Sequence, residues 1–139
     1  MGEVVVRSLA GLSASIEVGE HQLVADEPVA AGGADAGPNP YELLLSALGA
    51  CTAITVRLYA RRKGWQLDGV EVRLSHERIH AVDCAECETR DGFVHRITKS
   101  LALYGPLDTE QRARLADIAK RCPVQQTLTH EIVVQQHLV

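Results

Sequence analysis

Residues 39–64 read NPYELLLSALGACTAITVRLYARRKG and carry the strongest structural signal in the chain. Asn39 suits a helix N-cap, Pro40 suits the first helical position, and Glu42 falls three residues after the cap, which completes a capping box. Residues 43–56 include no charged side chain, and apolar side chains occupy every face. The stretch predicts a central helix surrounded by protein, since its charge-free part is too short to span a bilayer comfortably.

The segments before this helix have the composition of strands and then of a loop. A Val4-Val5-Val6 run is followed by residues 13–18 and 21–24, which Gly19-Glu20 separates in the manner of a hairpin turn. Two or three strands are predicted there. Residues 27–40 are rich in proline and glycine, which predicts a long loop leading to the helix.

Basic residues and Gly64 are predicted to end the helix. The segments that follow it alternate between strand and helix. Residues 69–79 and 93–104 contain β-branched residues with partial period-two alternation, which predicts a hairpin with a polar end at residues 80–92. Asp108 and Gln111 form a second capping box, and the helix that they begin is predicted to end at Cys122-Pro123. Residues 131–138 form one further β-type run.

This order of elements predicts an α+β fold with mainly antiparallel sheet, built as one domain over residues 1–139. A charge-free helix is difficult to cover with a single copy of so few strands. We therefore expect a homodimer in which the partner covers part of the helix.

Composition narrows the classes of function. The chain has 139 residues, of which 46% are hydrophobic and 23% are charged, and its formal net charge is −4. No basic block is present, which argues against binding of nucleic acid. The N-terminal residues lack the pattern of a signal peptide, so we expect a cytoplasmic protein without stable membrane association.

Two separated cysteines are the first candidates for chemistry. Cys51 lies on the central helix among small residues, and Cys122 precedes Pro123, where a new helical turn is able to lower the pKa of a thiol. Each has a structural alternative. Cys51 also fits a role as a small buried hydrophobe, and Cys122 also fits the end of a helix.

The full pattern resembles the osmotically inducible protein C and organic hydroperoxide resistance (OsmC/Ohr) family. The resemblance is carried by GPNPYELL at residues 37–44, ACTA at residues 50–53 and RCPVQQTL at residues 121–128. It extends over nearly the whole chain and includes the order of strands and helices.

The resemblance implies an OsmC-like fold in an intertwined homodimer and a cysteine-based peroxidase that reduces small hydrophobic hydroperoxides to alcohols. Cys51 would be the peroxidatic residue and Cys122 the resolving residue, with electrons supplied by a dithiol reductant. A thiolate attacks the weak O–O bond and leaves a sulfenic acid, with which a second thiol condenses before over-oxidation. Such chemistry uses no metal and no organic cofactor.

The chain departs from the family pattern where a cation would activate the thiolate. The family has a glutamate directly after the Asn-Pro pair, whereas this chain has Tyr41 there and Glu42 one residue later. The family arginine from the first strand loop has no counterpart in Ala10-Gly11-Leu12, and Arg7 is the nearest arginine. Glu42 and Arg7 are therefore candidate catalytic residues, although Glu42 also fits a capping role alone. Three other arginines match by charge only: Arg57, Arg61 and Arg121.

A second pair of cysteines lies at the predicted hairpin end. Cys84 and Cys87 are separated by two residues, a spacing that suits an accessory redox dithiol, one edge of a zinc site with His80 and His95 as further ligands, or incidental surface thiols. Three functions therefore compete. They are a peroxidase using Cys51 and Cys122, a redox or zinc sensor using Cys84 and Cys87, and a binding module for a small hydrophobic ligand.

Overall fold

A computed structural model describes residues 2–139. In this range five strands and three α-helices follow one another, namely β1 (Val4–Ser8), β2 (Ala14–Val18), β3 (His21–Ala25), α1 (Pro40–Lys63), β4 (Gly69–His80), β5 (Phe93–Tyr104), α2 (Thr109–Ala119) and α3 (Pro123–Leu128). Both sheets are antiparallel, so the predicted α+β class is confirmed. The chain divides within α1 into two compact units, one ending at Ser46 and the other beginning at Ala47.

The first unit contains a three-stranded meander of β1, β2 and β3. Val4 pairs with Val18 at one end of the β1–β2 ladder, and Val18 pairs with His21 across the turn to β3. Gly19 in that turn has a positive φ of 59°, a conformation that glycine adopts without steric cost. The hairpin predicted at Gly19-Glu20 is confirmed.

The loop that follows β3 is organised by one buried carboxylate. The Asp26 side chain accepts hydrogen bonds from three backbone N–H groups, those of Glu27 (2.8 Å), Ala34 (3.1 Å) and Ala36 (3.1 Å). The bond from Glu27, together with those from Ala36 and Ala34, holds the pKa of Asp26 below its ordinary value. The predicted loop is thus fixed from within and contains only a short 3₁₀ turn at Val29–Ala31.

Helix α1 begins and ends where its sequence predicts. The Glu42 backbone N–H donates to Asn39 Oδ1 at 2.8 Å, and the Asn39 N–H donates to Glu42 Oε1 at 3.1 Å, which closes the capping box. Gly64 follows Lys63 with a left-handed φ of 70°, as helix-ending glycines commonly do.

Within the second unit α1 buries one stripe, and its opposite face is open. Four residues spaced one helical turn apart are buried: Leu48, Thr52, Val56 and Ala60. Ile54 and Leu58 remain 60% and 49% exposed, so a single chain covers only part of the apolar surface. At 24 residues α1 is long and apolar enough to cross a membrane by length and composition alone, a test that core helices also pass. Only the charge-free part, residues 43–56, is too short to span a bilayer comfortably; the whole helix is longer, and its buried stripe favours a core helix.

The second unit places a long hairpin and two helices around that stripe. Strands β4 and β5 pair in register from Gly69 opposite Tyr104 to His80 opposite Phe93. Asp108 and Gln111 form the predicted capping box at the start of α2. The core cluster joins residues from α1, α2 and the segment after α1, namely Val56, Ala60, Leu67, Leu115 and Ala119.

The strand predicted at residues 131–138 is not formed. These residues have no regular secondary structure, and Val133 and Val134 are 78% and 86% exposed. A strand is stabilised by hydrogen bonds to a neighbouring strand, and neither described sheet pairs with this segment. The prediction was wrong for the single chain because a β-type sequence does not by itself provide the neighbouring strand with which it must pair.

Candidate active site

The two separated cysteines come together within the second unit. Cys51 lies on α1 and is partly exposed, whereas Cys122 is the N-cap of α3 and is fully buried. Both are free thiols, and Cys51 lies close enough to Cys122 to help lower the pKa of the Cys122 thiol. The fold therefore joins two thiols that the sequence separates widely.

The Cys122 sulfur is surrounded by hydrogen-bond donors. The Gln125 backbone N–H donates to Sγ at 3.4 Å, as expected of an acceptor at a helix N-cap, and Thr52 Oγ1 lies 3.5 Å from the same sulfur. The Thr52 hydroxyl also lies 2.9 Å from the Leu48 carbonyl oxygen. Because a hydroxyl has one hydrogen, Thr52 donates to one of these acceptors at a time.

A lysine from β5 lies behind the threonine. The Lys99 ammonium donates to three oxygens: Thr52 Oγ1 (2.9 Å), the Ala119 carbonyl (2.9 Å) and Gln125 Oε1 (2.6 Å). These three bonds match the three hydrogens of the ammonium and fix its position. All three acceptors are neutral, so no carboxylate balances the charge of Lys99 among its hydrogen-bond partners.

These contacts shift the pKa of both Cys122 and Lys99. Burial raises the pKa of the Cys122 thiol, but hydrogen bonds from Thr52, Gln125 and Cys51 and the charge of Lys99 outweigh burial and lower it. Burial lowers the pKa of Lys99, and the two neighbouring thiols oppose that change. The arrangement favours a thiolate on Cys122 opposite an ammonium.

A cleft of about 420 Å³ opens beside Lys99. It is lined by both apolar and polar side chains: Leu48, His95, Ile97, Lys99, Lys120, Gln125, Leu128 and Thr129. His95, Ile97 and Lys99 are alternate residues of β5, which places their side chains on the same face of the strand. A small molecule with an apolar body has room in this cleft.

Glu42 and Arg7, the two weaker catalytic predictions, have structural partners. Glu42 closes the capping box with Asn39, which is the structural alternative that its position allowed. Arg7 donates to Glu17 at 2.7 Å across the β1–β2 ladder, in an exposed ion pair. A catalytic role for either residue remains a prediction.

Two of the arginines that match by charge alone also have structural partners. Arg57 donates to the Leu67 carbonyl at 3.2 Å, and Arg121 pairs with Asp117 at 2.8 Å. Neither contact involves a thiol.

The hairpin cysteines form a disulfide, Cys84–Cys87. His80 packs against Phe93 with ring centroids 4.5 Å apart, and His95 stacks on His76 at 5.0 Å. Within residues 2–139 no three His, Cys, Asp or Glu side chains are grouped so as to hold a metal ion. With Cys84 and Cys87 joined, the zinc alternative over Cys84, Cys87, His80 and His95 and the accessory redox role of the pair both remain predictions.

Sequence reasoning missed Lys99. A signal for it exists, because Ile97, Lys99, Leu101 and Leu103 occupy alternate positions and are all half-buried. A single cation in an otherwise apolar row of a strand is unusual, since a lysine is seldom buried without a partner. The family pattern has an arginine as the activating cation, so a lysine on this strand was not predicted.

The fold and its paired thiols define a small α+β dithiol protein. A family model described as OsmC-like protein matches residues 32–137, and the chain belongs to this family. Among curated proteins, none matches the sequence.

Solved structures share the fold. An OsmC-like protein from Mycoplasma pneumoniae is 22% identical with a TM-score of 0.73, over 92% of this chain and 86% of that one. Organic hydroperoxide resistance protein OsmC from Legionella pneumophila is 20% identical with a TM-score of 0.63, over 91% and 89%. Organic hydroperoxide resistance protein OhrB of Bacillus subtilis is 21% identical with a TM-score of 0.61, over 93% and 90%.

Proposed function

We propose that this protein is a thiol-dependent peroxidase that reduces organic hydroperoxides to alcohols in oxidative-stress defence. The observation that carries the proposal is the pair of free thiols, Cys51 and Cys122, held together beside one ammonium group. Family membership and the names of the structural relatives support a role in peroxide resistance.

The exposure of the two thiols supports Cys51 as the residue that meets the peroxide. Cys51 is partly exposed, whereas Cys122 is fully buried. The Cys122 thiolate lies beside Cys51, and we assign it as the group that takes the Cys51 proton. Cys51 then attacks the terminal peroxide oxygen, the O–O bond breaks, and the alkoxide takes that proton to leave as the alcohol.

The second step closes a disulfide. After the first step Cys51 is a sulfenic acid and Cys122 is again a thiolate. The Cys122 sulfur attacks the Cys51 sulfur, the S–O bond breaks, and the released hydroxide takes a proton from solvent to form water. An external dithiol then reduces the Cys51–Cys122 disulfide by thiol exchange and is itself oxidised.

We also propose that the active form is a cytoplasmic homodimer. The open face of α1 around Ile54 and Leu58 and the unpaired apolar segment 131–139 are surfaces that a second copy would cover. Sedimentation of the purified chain tests the dimer, and a monomer at all concentrations would contradict it.

The peroxidase is tested by peptide mapping and thiol counting after one equivalent of an organic hydroperoxide. We expect a Cys51–Cys122 disulfide in the wild type within seconds. In Cys122→Ser we expect a sulfenic acid on Cys51, and in Cys51→Ser we expect neither product. The matched control is Cys84→Ser with Cys87→Ser, which retains the inner pair. In a chain whose Cys84–Cys87 disulfide has first been reduced, an oxidant-driven change confined to Cys84 and Cys87 would favour the sensor function instead.

A further inference from the structure

A thiolate in a buried site requires a compensating charge. Three cationic or titratable side chains line the cleft that opens beside Lys99, namely Lys99 and His95 from β5 and Lys120 after α2. Of these three, Lys99 is linked to Cys122 through Thr52, because its ammonium donates to Thr52 Oγ1 at 2.9 Å and that oxygen lies 3.5 Å from the Cys122 sulfur. The contacts therefore single out one of the three.

The hydrogen bonds of Lys99 leave its charge uncompensated. Its three acceptors are a hydroxyl, a carbonyl and an amide oxygen, none of which is ionised. A partly buried ammonium without an anion loses hydration and gains no ion pair. A thiolate on Cys122 supplies the missing negative charge, so the two groups stabilise each other.

We propose that Lys99, acting through the Thr52 hydroxyl, is the positioning residue that holds Cys122 as a thiolate. The proposal deepens the proposed peroxidase function and rests on it for its catalytic meaning. It assigns to a lysine on β5 the cationic role for which sequence analysis had considered only arginines.

Thr52 connects the Lys99 ammonium to the Cys122 sulfur through hydrogen bonds. Lys99 donates to the threonine oxygen, so the hydroxyl hydrogen is directed toward its two possible acceptors, Cys122 Sγ and the Leu48 carbonyl. A charged acceptor forms the stronger hydrogen bond. Loss of the Cys122 proton therefore turns the Thr52 hydroxyl toward the sulfur.

The test is a pH titration of ultraviolet thiolate absorbance in a Cys51→Ser background with the Cys84–Cys87 disulfide intact. Cys122 is then the one free thiol of the chain. Removal of a nearby opposite charge shifts a pKa by about one unit or more, so Lys99→Met should raise the titration midpoint by that amount. Lys99→Arg retains the charge and should recover most of the shift. Lys120→Met removes a cation from the same cleft without touching Thr52 and should leave the midpoint unchanged.

A second pair of variants tests the relay without touching the cation. Thr52→Val keeps the shape of the side chain and removes the hydroxyl, so the midpoint should rise, whereas Thr52→Ser should keep it low. Circular dichroism verifies that each variant is folded. An unchanged midpoint in folded Lys99→Met, or equal shifts in Lys99→Met and Lys120→Met, would overturn the proposal. If Lys99→Met fails to fold, an unchanged midpoint in Thr52→Val would overturn it equally.

The titration needs no peroxide, so the two proposals fail separately. A shifted midpoint without a peroxide-driven Cys51–Cys122 disulfide would sink the peroxidase and leave the Lys99–Cys122 pair in place. A peroxide-driven Cys51–Cys122 disulfide with an unshifted midpoint would overturn the role of Lys99 and leave the peroxidase in place.

Discussion

The two cysteine pairs of this chain differ in how they are brought together. Cys84 and Cys87 are near neighbours in a polar hairpin end, and they are joined. Cys51 and Cys122 meet only because α1 and α3 pack in one unit, and they are free. The first pair depends on local chain geometry, whereas the second depends on a buried core and on one ammonium. The pair with the more elaborate surroundings is the one that we propose reacts with hydroperoxide.

The largest expected effect is on the free energy of unfolding, and it compares the core around the inner pair with the hairpin end that holds the outer pair. Leu115 is fully buried in the core cluster of the second unit, whereas Val82 near the hairpin end is 78% exposed. Leu115→Ala should lower the free energy of unfolding by about 2 to 5 kcal/mol, as core truncations do. Val82→Ala should change it by less than about 0.5 kcal/mol.

Urea denaturation measures both values, and alkylation of Cys122 should become faster in Leu115→Ala alone. Similar losses of stability in the two variants would contradict the contrast between the core and the hairpin end.

A smaller effect is expected from removing the outer pair. Cys84→Ser with Cys87→Ser opens a very short loop, and the chain-entropy model gives about 2 kcal/mol or less for such a disulfide. Thermal unfolding measures this loss. The rate at which hydroperoxide closes the inner disulfide should stay at the wild-type value. Slower re-reduction of that inner disulfide by an external dithiol would mean that the outer pair passes electrons to Cys51 and Cys122, as its accessory redox interpretation allows.

The smallest effect is a pH dependence that belongs to the inner pair alone. The pKa of Cys122 is lower in the folded chain than its ordinary value of 9.0, so the unfolded chain binds more protons between these two values. Stability should therefore rise with pH across that window and be lost as pH falls through the folded pKa. Urea unfolding of wild type and Cys122→Ala over a pH series measures the slope, and the difference between the two proteins is the contribution of Cys122. A disulfide does not titrate, so the outer pair contributes no such slope.

Local signals explain what could be predicted from the sequence. The capping box of Asn39 and Glu42 and the turn at Gly19 depend on residues a few positions apart, and both are confirmed. The partners of Lys99 could not be found in this way, because Thr52, Ala119 and Gln125 come from three other parts of the chain. The β-type run at residues 131–138 has strand propensity, but pairing requires an edge that the sequence of the run does not specify.

The place of Lys99 on β5 depends on parity. Lys99 shares a face with Ile97 and Leu101, whereas Thr98 and Ser100 point to the other side, because successive residues of a strand alternate. One residue inserted between Ile97 and Lys99, with Ile97 still facing the cleft, would turn the ammonium away from the thiols and put a small hydroxyl or the new side chain nearer. Two inserted residues would restore its direction one step further along. Strand β5 therefore tolerates insertions of two residues far better than insertions of one. The position of the ammonium depends on the two-residue period of the strand as well as on packing.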